Sequence, residues 1–244
     1  ATSNERLYIA NLIGSLNIVD IHQPNAPVDV GSYYTPGGAW SIATGGKFLY
    51  VLGGIEGELH LVDITQPDHL AWAATYPMPN PITALAVHQD RAYVVDERGD
   101  LHVLNISDPR HPHRIGLLQL NALILDIAVA GNSVFLTRSD GSLVVVDITE
   151  PTTPALLFQC STRLQTRASQ INSAITYFTN GSALYGFTHI GDCGTAYQLL
   201  LKLKGAIDSM FIAEEYAFLA GYRQGLAVVD LDDDGSPNLV ILTP

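Results

Sequence analysis

The sequence is short of several things, and each shortage closes off a class of function. Two cysteines in 244 residues rule out a fold held by a dense disulfide framework. Twelve Lys and Arg stand against 24 Asp and Glu, a net charge of −12. Nucleic-acid binding rests on basic patches, so no nucleic-acid partner is expected. The same acidity disfavours docking on an anionic lipid surface. No apolar run reaches the length of a bilayer span, and the best, Ala122 to Ala130, is broken by Asp126; direct membrane insertion is not expected. The opening residues Ala1-Thr2-Ser3-Asn4-Glu5 carry no basic or apolar leader signature. Catalytic motifs are missing as well: there is no G-x-S-x-G elbow, no H-E-x-x-H and no phosphate-cradling Gly-rich loop.

What is plentiful is apolar side chain. It makes up 47% of the chain against 15% charged, enough for a sizeable core and incompatible with disorder. That apolar content is periodic. One phrase returns as SLNIVDIHQP from Ser15, ELHLVDITQP from Glu58, DLHVLNISDP from Asp100, SLVVVDITEP from Ser142 and GLAVVDLDDD from Gly225. Its anchor acid or amide is Asp20, Asp63, Asn105, Asp147 and Asp230, at spacings of 43, 42, 42 and 83. The last spacing is two periods. A shift of 41 places Ile175–Thr188 on Val134–Asp147 without a gap and supplies the hidden, degenerate repeat, with Thr188 in the anchor's place.

Each full repeat carries four strand signals. In the fourth they are Asp126–Val129, Val134–Thr137, Leu143–Asp147 and Ala155–Gln159, separated by Gly131-Asn132, Asp140-Gly141 and Pro151 to Pro154. The runs are nearly continuous in apolar residues, which means burial on both faces. Short, evenly spaced, doubly buried strands in units of about 42 residues describe propeller blades. Solenoid rungs are shorter, and a flat sandwich would leave one face polar. The expectation is an all-β, six-bladed β-propeller in one domain spanning residues 1–244. Its repeats run at 1–34, 35–77, 78–119, 120–161, 162–202 and 203–244.

The phrase L-x-V-x-D-[IL]-x-x-P resembles the LVIVD repeat of bacterial and archaeal propellers. The resemblance covers nearly the whole chain and departs in the fifth unit, where Thr188, Gly191 and Asp192 replace the Asp and Pro positions. It implies the fold and a periplasmic, extracellular or cell-surface location; it implies no single activity.

The anchor acids look like a row of carboxylates, yet each follows a buried strand and precedes a turn. Such residues accept N–H groups two residues on and close an Asx-turn, so a structural role is expected. His60 and His102 occupy equivalent positions three before the anchor. Neighbouring sheets stand about 10 Å apart, too far to share a metal, so both are expected to be interface histidines. His111 and His113 lie in a Pro-rich turn with Asp108 and lack a third ligand at set spacing.

A binding site on a propeller would gather at the channel mouth, where innermost strands open. The candidate positions are Ser41, Thr83, Asp126, Arg167 and Asp208, with Trp40 just before the first. The competing reading gives these groups a bonding role toward neighbouring blades. The segment Asp230, Asp232, Asp234 and Asn238 reads D-x-D-x-D-G-x-x-N and resembles the calcium loops of integrin-type propellers. Its oxygen donors suit Ca²⁺, although the loop is no longer than its siblings, and a solvated acidic turn is the preferred reading. No other cofactor is expected.

Two further expectations follow from the repeat phase. Cys160 and Cys193 fall at opposite ends of strands about 17 Å tall, whereas a disulfide needs Cα atoms within roughly 7 Å, so two free thiols are expected. Ala1–Ser3 superpose on Ala128–Ala130, so the first blade lacks most of its innermost strand and Leu7–Ala10 has a bare edge. Either the natural product extends upstream, the preferred reading, or a partner segment adds a strand there. The functional expectation is a non-catalytic scaffold that binds a protein partner outside the cytoplasm. The alternative is a small-molecule or carbohydrate binder, or an enzyme, using the channel mouth.

Overall fold

The structure is a computed structural model. It describes the chain except residues 4, 12–14, 24, 36, 54–56, 67–68, 141, 162–167, 173–174, 189–196, 203–206, 208, 214–215, 222–224, 232–237 and 244. No helix occurs among the described residues. The chain is all-β and of the propeller class, built from antiparallel four-stranded blades. It divides into two compact units, Ala1–Ala122 with Pro151–Thr153, and Leu123–Glu150 with Pro154–Pro244.

The first unit holds three four-stranded sheets. One is β1 (Thr2–Ser3), β2 (Arg6–Asn11), β3 (Ser15–Asp20) and β4 (Val28–Tyr34). The next is β5 (Ala39–Gly45), β6 (Phe48–Gly53), β7 (Glu58–Asp63) and β8 (Ala71–Pro77). The third is β9 (Ile82–His88), β10 (Arg91–Asp96), β11 (Asp100–Asn105) and β12 (His113–Gln119). The second unit repeats the plan three times. Its sheets are β13 (Ile124–Ala130), β14 (Ser133–Arg138), β15 (Ser142–Asp147) and β16 (Ala155–Ser161); β17 (Ala168–Asn172), β18 (Ile175–Thr179), β19 (Ala183–Thr188) and β20 (Tyr197–Lys202); and β21 (Ser209–Ala213), β22 (Tyr216–Gly221), β23 (Gly225–Asp230) and β24 (Asn238–Thr243).

Local chemistry sets the hairpins. The tight turn between the first two strands needs a left-handed residue, supplied by Gly46 (φ 58°), Gln89 (φ 52°) and Gly131 (φ 56°) in successive sheets. After the third strand, the anchor side chain accepts the N–H two residues on. Asp20 takes His22 at 2.8 Å, Asp63 takes Thr65 at 2.8 Å, Asn105 takes Ser107 at 2.9 Å and Asp147 takes Thr149 at 2.8 Å. The intervening N–H of Ile21, Ile64, Ile106 and Ile148 bonds back to Glu5, Lys47, Asp90 and Asn132 respectively, each at 2.9 Å. The row of acids is therefore a row of turn locks.

Both faces of the interior sheets are apolar. Tyr50, Leu52, Leu59 and Leu61 on one face of β6–β7 pack with Ala92, Val94, Leu104 and Ile106 of the next sheet. Tyr8, Leu16 and Ile18 pack in the same way with Leu49, Val51, Val62 and Ile64. In the second unit Tyr177 and Leu184 pack with Ala217, Leu219 and Val229. Each joint thus pairs one kind of face with the other.

The outermost strands carry a bulge. The skipped residue is Val30, Ala73, Ile115, Leu157 and Val240, always between the partners of the two residues preceding the anchor. In the β17–β20 sheet it moves to Leu200. A bulge twists an exposed edge away from flat pairing and protects it against strand addition.

The structure also refines the expected register. The phase of the first sheet holds: Thr2 pairs with Leu7 and Ser3 with Arg6, as Val129 pairs with Val134 and Ala130 with Ser133. The stretch expected to be bare, Leu7–Ala10, is partly covered. Besides the Thr2–Leu7 pair, the backbones of Ala1 and Tyr8 exchange two hydrogen bonds of 2.8 and 3.0 Å. The gapless 41-residue shift is right for β19 and one residue off for β18, because Ile175, not residue 174, pairs opposite Thr188 as Ser133 does opposite Asp147. The β18–β19 turn is one residue shorter than its counterpart.

Candidate functional site

The mouth positions separate into two sets. On β5 the ladder skips Trp40, on β9 it skips Thr83 and on β13 it skips Leu125. Ser41 and Asp126 therefore share their position with Ala84, not with Thr83; Thr83 belongs with Trp40. A spacing of 43 rather than 42 separates β5 from β9 here, which a gapless count misses. The bulge turns its residue outward: Trp40 is 67% exposed, and Thr83 and Leu125 are exposed too. In the first unit β5 lies beside β9, so Trp40, Ser41 and Thr83 belong to adjacent strands. Thr83 Oγ1 donates to the carbonyls of Val95 (3.3 Å) and Asp96 (3.5 Å) of its own sheet. In the second unit, Asp126 Oδ1 accepts the N–H of Ile127 at 2.9 Å. Arg167 and Asp208 lie outside the described residues; the register places Ala168 and Ser209 level with Asp126.

Sequence reasoning missed a buried polar cluster at the same end of the third sheet. Asp96, the last residue of β10, is fully buried. Its Oδ1 accepts the N–H groups of Arg98 (3.0 Å) and Asp100 (2.9 Å), and its Oδ2 accepts Asn80 Nδ2 (2.8 Å) and lies 3.2 Å from His102 Nε2. Burial alone opposes its ionisation, but the donors of Asn80, Asp100 and His102 together outweigh that and hold the carboxyl below the usual carboxylate range. The equivalent residues are Gly53 and Arg138, so Asp96 breaks the repeat pattern. That break, in the phrase VVDERGD, was the available signal. With no exposed atom, Asp96 cannot meet a substrate; it ties the β10–β11 turn to the connector before β9.

His60 and His102 are both buried, as expected of interface histidines. His60 Nδ1 lies 3.2 Å from Thr75 Oγ1, and its ring sits 4.6 Å from that of Trp72. His111 is held by Asp108 at 2.8 Å on the surface, and no cluster of metal-ligating side chains occurs among the described residues. Of the calcium candidates, Asp232 and Asp234 lie outside the described residues, as does the side chain of Asn238; Asp230 ends β23.

The expectation of two free thiols is overturned. Cys160 is disulfide-bonded and buried, and no free cysteine occurs among the described residues. Cys193, the other cysteine in the sequence, lies outside the described residues.

The LVIVD repeat model matches residues 3–35, 36–77, 83–117, 125–162 and 204–242. The chain belongs to the LVIVD-repeat family. Five segments match where six repeats were expected. The β17–β20 segment has the strand order of an LVIVD blade without the family's residues, Thr188 standing where its neighbours have Asp. No curated protein matches the chain. Among solved structures, the LVIVD chain is similar to the computationally designed Ika8 protein, with a TM-score of 0.71 and 16% identity over 100% of this chain and 72% of that one. It is also similar to Saccharomyces cerevisiae Sqt1, with a TM-score of 0.70 and 9% identity over 98% of this chain and 82% of that one. Both likenesses are of fold alone.

Proposed function

We propose that this LVIVD chain is a non-catalytic binding scaffold that works outside the cytoplasm, in the periplasm or at the cell surface, and engages a protein partner through the strand-opening rim. In this reading the β17–β20 sheet is a sixth, divergent blade. The observation that carries the proposal is Trp40, a tryptophan 67% exposed on a bulge beside Ser41 and Thr83. Exposed tryptophan is the side chain most enriched where binding energy concentrates. The polar groups that would make a reactive site are instead engaged in turns and backbone bonds, as with Thr83 and Asp63. The disulfide at Cys160 supports the location, because disulfides persist in oxidising compartments.

The test is affinity capture from the native cell envelope with the wild type and Trp40→Ala. A protein retained by the wild type and lost with Trp40→Ala supports the reading; an identical set with both removes it. Carbohydrate binding is the second reading, because an exposed indole beside hydroxyls is also a sugar-stacking platform. A glycan array on which the wild type binds and Trp40→Ala does not would favour it instead.

A further inference from the structure

In the third sheet the ladder aligns His88, Arg91, Asn105 and His113, one residue from each of β9 to β12. Residues directly opposite in a ladder share a face. The row therefore sets two histidines, an arginine and an amide side by side, one strand spacing of about 4.8 Å apart. His113 is exposed and the other three are partly accessible. The same row reads Gly45, Phe48, Asp63 and Ala71 in the second sheet, and Ala130, Ser133, Asp147 and Ala155 in the fourth. A chain with a net charge of −12 thus gathers basic side chains on one sheet and in one row.

The first sheet shows what ordinarily accompanies an arginine at this position. Its row contains Arg6 opposite Asp20, and the two form an ion pair of 2.9 Å. Arg91 stands where Arg6 does, but its anchor is Asn105, the one amide among the Asp and Asn anchors. An amide cannot neutralise a guanidinium. The Oδ1 of Asn105 is moreover engaged by the Ser107 N–H at 2.9 Å, so what it offers the row is its Nδ2 donor. Arg91 Nε is buried without a hydrogen-bond partner, and Arg91 has no ion pair among the described residues of its unit.

The neighbouring acids are committed elsewhere. Asp108 accepts the Arg110 N–H through Oδ1 and holds His111 through Oδ2. Asp90 acts on the other face of the sheet: burial first, and then the Asp90 charge, push Tyr50 of the preceding sheet up to about 12. Tyr50 packs with Ala92, whose side chain alternates with that of Arg91.

The geometry points to an oxyanion-binding site on this row, in which Arg91 and Asn105 Nδ2 hold the anion and His88 and His113 flank it. An imidazole offers at least one N–H in either charge state; that of His113 is shared with the His111 carbonyl, 3.3 Å from Nδ1. The ligand class is a small carboxylate or phosphate, because guanidinium and amide N–H groups are the donors these oxygens accept. The site is independent of the rim reading. It lies at the opposite strand ends, since β9 opens beside Thr83 and closes at His88.

The experiment is an NMR titration of the ¹⁵N-labelled full chain at neutral pH in about 150 mM sodium chloride, which screens the diffuse field. One arm adds succinate and the other inorganic phosphate. The Asn105 side-chain amide and the Arg91 Nε–H are expected to shift saturably, with a Kd on the order of 1 mM. Saturation in either arm supports the site, and the tighter arm names the source as carboxylate or phosphate. Arg91→Gln is expected to weaken binding about tenfold or more. Asn105→Asp restores the acid that the sibling turns carry, so it keeps the turn and the thermal midpoint. It also gives Arg91 an internal partner and is expected to abolish the saturable shift of Arg91. Where Arg91→Gln fails to fold, Asn105→Asp alone decides. The proposal is overturned if neither probe gives a saturable shift up to roughly 20 mM, or if binding survives Asn105→Asp.

Discussion

Asp96 Oδ2 and His102 Nε2 lie 3.2 Å apart, both residues buried, at the end of the one sheet in which an Asp replaces the Gly53 and Arg138 of its neighbours. The carboxylate collects four donors from three segments: Asn80, the Arg98 and Asp100 N–H groups, and His102. His102 Nδ1 is buried without a hydrogen-bond partner, so the ring's proton belongs on Nε2, facing the carboxylate.

Removing that carboxylate strands the donors. Asp96→Ala is expected to destabilise the fold by about 3–5 kcal/mol, the cost of breaking a buried pair by deleting one partner. Asp96→Asn should cost less, because it keeps one acceptor oxygen. Urea unfolding would register the loss as a lower midpoint; an unchanged midpoint for Asp96→Ala would mean that the cluster is not cooperative with the fold.

The same group sets a pH dependence. Asp96 has its folded pKa depressed, net of a burial effect that acts the other way. Asp63 and Asp147 are depressed chiefly by the hydroxyls of Thr65 and Thr149. A depressed carboxyl contributes stability that is fully present above its unfolded pKa, near 3.9, and is lost as pH falls through the folded value. The thermal midpoint should therefore hold from neutrality to about pH 5 and fall below about pH 4, less steeply in Asp96→Asn than in wild type. Parallel acid limbs in the two proteins would count against Asp96 as the main contributor.

Thiol titration of the denatured, unreduced protein should find no reactive thiol, and the reduced protein two. Reduction should lower stability by about 2–4 kcal/mol. Two titratable thiols before reduction would show Cys160 to be free.

Hydrogen exchange should distinguish the first sheet from the fourth. β1 has two residues where β5, β9 and β13 have seven. Residues 7–10 are therefore expected to exchange faster than Val134–Thr137, with the difference largest at Ile9 and Ala10, beyond the reach of β1. Equal protection at both would mean that the β2 edge is covered.

Much of this was legible in the sequence. The anchor phrase located the third strand of five sheets and the 41-residue shift that of β17–β20, and its Asp or Asn predicted the N–H captured two residues on in the turns after Asp20, Asp63, Asn105 and Asp147. Turn lengths were less legible, because one residue gained or lost between strands leaves the apolar pattern nearly unchanged; hence Thr83 for Ala84 and the slip at β18. The Asp96 cluster was hidden for a different reason: repeat reading looks for what recurs, and this carboxylate occurs once. The disulfide at Cys160 was hidden because repeat phase alone does not fix which cysteines meet.

The most direct test of the central claim, that the rim binds a protein, is photocrosslinking from position 40 in the native envelope. A benzophenone side chain at Trp40 should yield a discrete protein adduct that is missing when the same group is placed at Thr152, an exposed turn residue. No protein adduct from position 40, or the same adducts from both positions, would contradict it.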